Sequence, residues 1–308
     1  MIIGIDGNEA NQKIRAGSGV YAFELLKQFQ KDQVLGIKYQ VYLKNEPLKD
    51  LPQEGPNWKY TVLGPKKLWT QFALPLGLWK ERILGKVPDV FFSPSHYAPR
   101  FCPIPSVITI FDISFVRFPQ LFLKKDLYQL RRWTEYSVRQ AKKIITISQF
   151  SKSEIIDHYK IKQDKIIVAY PGYDSGKYKV FEDITSKVDE IKLKYKIIGN
   201  YILFIGTVQP RKNLARLIEA FEKLKDNNLK LVIVGMIDEG RGGWMQEELI
   251  GQTKNNIILT GFVDDNDLPY MITGSKALVL PSLYEGFGIP VVEAMVCGVP
   301  TVVSNISS

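Results

Sequence analysis

Two glutamates, Glu285 and Glu293, stand eight positions apart in LYEGFGIPVVEAM, residues 283–295. Carboxylates so placed can act as an acid and a base, or each can accept hydrogen bonds from hydroxyl groups. Between them lie Gly286, Phe287, Gly288 and Pro290. Glycines let backbone approach a ligand closely, and consecutive N–H groups at a helix start form an anion-binding nest. Proline suits the first helical turn. The pattern therefore predicts a loop carrying Glu285 and a helix carrying Glu293 about one turn in, so the two need not face each other. Two solvated charges on a strand–turn–helix would give the same spacing.

A second stretch, GTVQPRKNLARLIEAF (206–221), has Gly206 and Thr207 after a strand and Arg211 and Lys212 just before a helix, with Asn213 as the expected N-cap. Two cations and a helix N-terminus suit a phosphate or diphosphate. The stretch is not a P-loop, since GxxxxGK[ST] is absent. A loop with two exposed cations is the plainer alternative. Near the N-terminus, Gly17 and Gly19 sit in GSGVYA, which spells GxGxxA. Ten residues separate it from the strand it should follow, and no acidic residue ends the second strand, so a dinucleotide fingerprint is disfavoured. The two histidines are His96, after a strand, and His158, in a helical stretch. His96 is the candidate for chemistry and His158 is read as structural. DDNDL (264–268) spells Asp-x-Asp, but reads better as a helix start near 266 than as a metal site.

These loops need elements to hold them. Short β-branched runs at 2–6, 39–43, 89–92, 106–110, 143–147 and 165–169 alternate with helical periods such as 18–31 and 124–140. Apolar on both faces, the runs suit buried parallel strands. The same grammar restarts with strands at 201–205, 229–234, 256–259, 276–280 and 299–303. Helices are expected at 213–226, near 244–252 and 265–274, and after 288. In 213–226, Leu214, Leu217, Ile218, Phe221 and Leu224 share a face. The expected organisation is an N-terminal domain over 1–172, a lysine-rich linker over 173–198 with one short helical candidate, and a second domain over 199–308. No helix closes the last strand, which reads as a C-terminal truncation.

The 308 residues are 45% hydrophobic and 24% charged, ordinary for a globular chain and long enough for two cores. The net charge of +9 favours anionic partners, but the lysines are dispersed, so no nucleic-acid partner is expected. Cys102 and Cys297 suggest neither a disulfide framework nor a zinc site. With no signal-peptide pattern and no apolar run long enough to span a bilayer, a cytoplasmic location is expected. KKLWTQFALPLGLWKER (66–82) combines Trp69, Phe72, Leu76, Leu78 and Trp79 with flanking cations. It is a candidate for peripheral contact with an anionic membrane at its inner face, or an amphipathic helix packed on its own domain.

Taken together, IGTVQPRKNLARLIEAF and PSLYEGFGIPVVEAM, followed by CGVPTVVSN, resemble the retaining glycosyltransferases of family 4, of the group 1 type and mannosyltransferase-like. Glu285 and Glu293 match that family's E-x7-E motif; GSGVY and VITIFDISFVRFP are weaker likenesses. The resemblance implies an α/β GT-B fold, with two Rossmann-like doubly wound domains facing a central cleft. The N-terminal domain would lie on the acceptor side, and the C-terminal domain would bind the nucleotide sugar, GDP-mannose or similar. It implies that Lys212 and Arg211 hold the diphosphate beside Gly206 and Thr207. Glu285 with the Gly286-Phe287-Gly288 backbone would contact the donor sugar, and Glu293 the ribose. Gly17 and Gly19 would shape the donor–acceptor boundary. It implies no cofactor, no required metal, and a glycan or lipid-linked acceptor. Where many members carry Arg after the first glycine this chain has Thr207, and Phe111-Asp112 stands where His-Asp is common, which leaves His96 as the sugar-contacting candidate. Three rivals stay open: a non-catalytic nucleotide-sugar-binding homologue, a dinucleotide-dependent oxidoreductase, and a glycosidase built on the glutamate pair.

Overall fold

The computed structural model describes residues 1–307 other than 16, 33, 96 and 236–255. The chain divides into two compact units: Met1–Val116 with Lys124–Tyr170, and Arg117–Leu123 with Pro171–Ser308.

The first unit runs β1 (Ile2–Asp6), α1 (Ser18–Asp32), β2 (Lys38–Leu43), β3 (Trp58–Val62), α2 (Ala73–Ile83), β4 (Val90–Ser93), β5 (Ser106–Ile110), α3 (Ser114–Arg117), α4 (Lys124–Gln140), β6 (Lys143–Thr146), α5 (Gln149–Tyr159) and β7 (Ile166–Val168). Its seven strands are ordered β3-β2-β1-β4-β5-β6-β7 and every pairing is parallel. Both faces are covered. Ile5, Val41 and Leu43 pack with Ala22 and Leu26 of α1, while Tyr42 and Phe91 pack with Leu74 and Leu78 of α2. That is why the strands read as nearly continuous apolar runs. Strand β3 was not legible. Only Trp58 of its five residues is buried, it lies at the sheet edge, and proline and glycine flank it.

The second unit contains α6 (Thr185–Lys194), β8 (Asn200–Ile205), α7 (Leu214–Lys223), β9 (Leu229–Val234), β10 (Ile257–Gly261), α8 (Leu268–Thr273), β11 (Leu278–Leu280), α9 (Ile289–Val296) and β12 (Thr301–Val303). Its sheet is ordered β10-β9-β8-β11-β12, again parallel. Tyr201, Leu203, Phe204, Val232, Leu278 and Ala294 belong to its core. The helix expected near 244–252 lies outside the described residues.

The stretch 173–198 is not a free linker. Tyr178, Ile191 and Ile197 join the second core, and Lys194 and Tyr195 reach Asp267 at 2.5 and 2.8 Å. Its lysines mask a short apolar face, Val188 and Ile191, which is all that a three-turn helix needs to dock. Asp267 therefore ties α6 to α8 and supplies no side-chain cap to its own helix. In the loop before it, Asp264 accepts the Asn266 N–H at 2.8 Å.

Candidate functional site

In open α/β sheets the crevice for a ligand lies where the strand order reverses, at the carboxyl ends. In the second unit that place is between β8 and β11, paired through Leu203 and Leu278. The loop after β8 and the loop after β11 are thereby laid side by side. The Leu283 N–H donates to the Arg211 carbonyl at 2.7 Å, and Arg211 Nη1 to the Tyr284 carbonyl at 3.1 Å.

Asn213 is where the expected local chemistry gives way. It adopts a left-handed conformation (φ 59°) and makes no side-chain cap; its Nδ2 donates to the Pro281 carbonyl at 3.1 Å. The asparagine predicted to cap α7 instead stitches the two loops together. Helix α7 is correspondingly shorter than 213–226, ending at Lys223 with Leu224 exposed.

Side chains converge across this seam. Lys212 is buried, and its Nζ meets Glu285 Oε1 at 2.5 Å. Arg211 Nη1 lies 3.4 Å from Glu285 Oε2, and the buried Ser282 hydroxyl donates to Oε1 at 2.6 Å. Burial by itself would push the Glu285 carboxyl up. The Lys212 and Arg211 charges, with hydrogen bonds from Lys212 and Ser282, outweigh it and hold the group below its ordinary range. Glu285 is thus a fixed anion paired with two candidate phosphate-binding cations.

Two glycines shape the floor. Gly206 ends β8 at φ +156°, and the Lys212 side chain crosses it, with Cε 3.5 Å from where a Cβ would stand. Gly235, after β9, has φ +147°, and a Cβ there would lie 2.0 Å from the Gly206 carbonyl oxygen. That position admits only glycine. Thr207 follows Gly206 directly. Past Gly286 and Phe287, Gly288 (φ +90°) turns the chain into α9, with Pro290 in its first turn.

Glu293 lies on α9 in a different setting. Burial pushes its carboxyl from an ordinary 4.5 up to about 7. The hydroxyl of Tyr178, its hydrogen-bonding partner, pulls the value back; Asp265 adds to the rise and Lys177 opposes it. Tyr178 is itself buried, and its hydroxyl is raised by burial and then by Glu293.

The structure therefore brings together Gly206, Arg211, Lys212 and Glu285, and gives Glu293 separate neighbours. Gly17 and Gly19 belong to the first unit, at the start of α1. Gly17 has φ +52°, and a Cβ on Gly19 would lie 3.1 Å from the Glu9 carbonyl. His96 lies outside the described residues. Sequence reasoning missed Ser282, Gly235, Tyr178 and the bridging role of Asn213. Ser282 carried a faint signal in its three-residue spacing from Glu285; Tyr178, in the supposed linker, carried none. Among the described residues no group of three or more His, Cys, Asp or Glu is gathered as for a metal. No described helix is long and apolar enough to cross a membrane.

Two family models match this chain: glycosyl transferases group 1 over residues 188–308, and glycosyltransferase family 4 over residues 15–177. The chain belongs to glycosyltransferase family 4. This family 4 chain is 32% identical to O-antigen chain mannosyltransferase B of Escherichia coli over 71% of its own length and 58% of that protein. It is 30% identical to O-antigen chain mannosyltransferase RfbU of Salmonella typhimurium over 65% of its own length and 52% of that protein. The matches thus span little more than half of these curated relatives. Among solved structures it resembles Anabaena HepE in complex with UDP-glucose, with a TM-score of 0.72 at 19% identity, covering 99% of this chain and 80% of that one. It also resembles WaaG, a glycosyltransferase involved in lipopolysaccharide biosynthesis, with a TM-score of 0.69 at 17% identity, covering 99% and 81%. At such identities the likeness establishes the fold: the family 4 chain has the GT-B architecture of two Rossmann-like domains.

Proposed function

We propose that this protein transfers a hexose, with mannose favoured, from a nucleoside-diphosphate sugar such as GDP-mannose to a glycan or lipid-linked acceptor in polysaccharide biosynthesis, retaining the anomeric configuration. The observation that carries the reading is the Arg211–Lys212–Glu285 cluster at the strand-order reversal of the second unit. The mannosyltransferase relatives favour the sugar and the polymer, and HepE, seen with UDP-glucose, favours a nucleotide-sugar donor.

The chemistry needs a departing diphosphate to be stabilised as positive charge develops on the sugar. Lys212 and Arg211 supply that fixed electrostatic field, and their partner Glu285 holds them in place. Held ionised, Glu285 accepts hydroxyl hydrogens of the donor sugar, while the Gly286-Phe287-Gly288 backbone lies against sugar and diphosphate. Glu293 accepts the ribose hydroxyls. Gly17 and Gly19 are assigned to the donor–acceptor boundary, and His96 to the sugar. No protein nucleophile takes part; a donor phosphate oxygen assists deprotonation of the acceptor. No metal or cofactor is required. Cytoplasmic residence, with peripheral attachment at the inner face of the membrane, belongs to the same proposal.

The test is a thermal-shift screen of GDP-, UDP-, dTDP- and ADP-sugars with Lys212→Ala and Glu293→Ala as controls. A donor that raises the melting temperature of the wild type and of neither variant supports the reading; no shift with any nucleotide sugar sinks it. Thr207, in place of arginine, favours a second reading, a binder without turnover. A radiolabelled-donor assay separates the two, since the binder shows the thermal shift and transfers no label.

A further inference from the structure

Helix α2 is apolar on two faces, and the fold uses only one. Ala73, Leu74 and Leu78 are buried against the sheet of the first unit. Phe72, Leu76, Trp79 and Ile83, spaced by four, three and four residues, line the other side and are exposed, Leu76 at 66% and Ile83 at 82%. Such spacing sets them in one stripe along the helix. The stripe is extended by a loop from elsewhere in the unit: the Trp79 indole N–H donates to the Phe101 carbonyl at 2.9 Å, and Phe101 is 73% exposed. A soluble helix puts charges on its outer face, so a contiguous exposed apolar stripe marks a surface that meets something.

The charges around the stripe say what it meets. Lys66, Lys67, Lys80, Arg82 and Lys86 are all exposed. Arg82 also stands over the Trp79 ring, 5.6 Å from its centroid, and bonds the Pro103 carbonyl. From 57 to 111 the only acidic residues are Glu81 and Asp89, and Asp89, beyond the helix, accepts the Ile2 N–H at 2.6 Å. Glu81 does not face outward with the lysines: it accepts the hydroxyl hydrogen of Tyr42, a fully buried residue of β2. The one carboxylate on α2 is thus drawn to the sheet side, and the rim around the stripe is cationic. An apolar ridge with an indole at its edge and a cationic rim matches the interfacial layer of an anionic bilayer, acyl chains below and phosphates above.

We infer that the outer face of α2, with Phe101, docks this protein on an anionic phospholipid bilayer. Leu76 and Ile83 enter the acyl boundary, and the surrounding lysines and Arg82 pair with lipid phosphates. The inference deepens the peripheral attachment in the proposed function but does not rest on the donor reading, because its test contains no nucleotide sugar.

The test is flotation of the 308-residue chain with vesicles of phosphatidylcholine alone and of phosphatidylglycerol mixed with phosphatidylcholine, for wild type, Leu76→Asp/Ile83→Asp and Leu35→Asp. Leu35 is fully exposed in the same unit and lies outside the stripe, so its variant controls for added charge. All three positions are exposed, so unchanged thermal melts confirm intact folds. The expected result is binding to the mixed vesicles, little to phosphatidylcholine alone, a loss of about tenfold or more in the double variant, and none in Leu35→Asp. Absence of binding to the mixed vesicles, or binding that the double variant retains, overturns the inference. So does sedimentation showing a wild-type dimer that the double variant converts to monomer, since a second copy would then cover the stripe.

Discussion

Glu285 and Glu293 share one loop–helix segment, yet the fold treats them in opposite ways. Glu285 is clasped by Lys212, Arg211 and Ser282 and is held ionised. Glu293 is buried beside a tyrosine, with Asp265 adding like charge, and is pushed up to about 7. The first carboxylate is part of a paired, prepaid electrostatic cluster. The second is a buried group whose favourable neighbours, Tyr178 and Lys177, offset only part of the cost of ionising it. Eight residues of separation do not make a catalytic pair; the neighbours of each carboxylate decide its role.

The contrast can be broken from either side. The largest effect is expected for Lys212→Ala, which removes the main counter-charge of a largely buried carboxylate. It should destabilise the protein by about 3–5 kcal/mol and abolish any donor-induced thermal shift. A normal shift in a folded Lys212→Ala would remove Lys212 from the donor site.

Glu285→Gln comes next. Because the folded carboxyl lies below its ordinary range, the ionised form contributes stability above that range and loses it as the pH falls through it. The variant should be less stable than wild type by about 1–3 kcal/mol near neutral pH, since it leaves Lys212 without its charge partner. In denaturant titrations the gap should narrow towards acid. With labelled donor, transfer should slow more than donor binding weakens.

Glu293→Gln should do the reverse to stability. A folded value raised from 4.5 to about 7 means that ionisation costs stability as the pH rises through that interval, reaching the full cost above it. Glutamine removes a cost of about 3 kcal/mol at high pH and changes little at pH values below the ordinary range. Denaturation midpoints at pH 8 and pH 4 check this; a variant less stable than wild type at pH 8 would contradict it. Its effect on function should fall mainly on donor binding. Equal, purely catalytic losses from both glutamate variants would end the division of labour.

The smallest effect is expected for Tyr178→Phe. The hydroxyl partly offsets the rise at Glu293, so its loss should move the Glu293 titration to still higher pH, at about 1 kcal/mol or less. Following the pH dependence of stability in this variant tests whether Tyr178 acts through Glu293. An unmoved profile would assign it to packing alone.

Much of this molecule was legible without coordinates. The strand runs at 2–6, 106–110 and 229–234 and the helix at 124–140 appear where the periodicity places them, because apolar spacing is a local property. Edge strand β3 was missed, and so was the docking of the helix anticipated in 175–198, because each buries too few residues to leave a pattern. In the candidate site, Lys212, Arg211 and both glutamates could be chosen by type and position beside glycines and a helix start. The misreading of Asn213 shows the limit. Capping was the best local use of that side chain, and a carbonyl 68 residues away in sequence took it instead.

By itself, then, the sequence determined the alternation of strands and helices and the family, and it supplied the cationic and carboxylate side chains on which the proposed function rests. Only the tertiary structure decided which of them meet. Lys212 and Glu285 are 73 residues apart, and they touch because β8 and β11 are neighbours where the strand order reverses. Strand order is set by the packing of the whole sheet, so the charge state of each glutamate depends on it, and no local spacing encodes that.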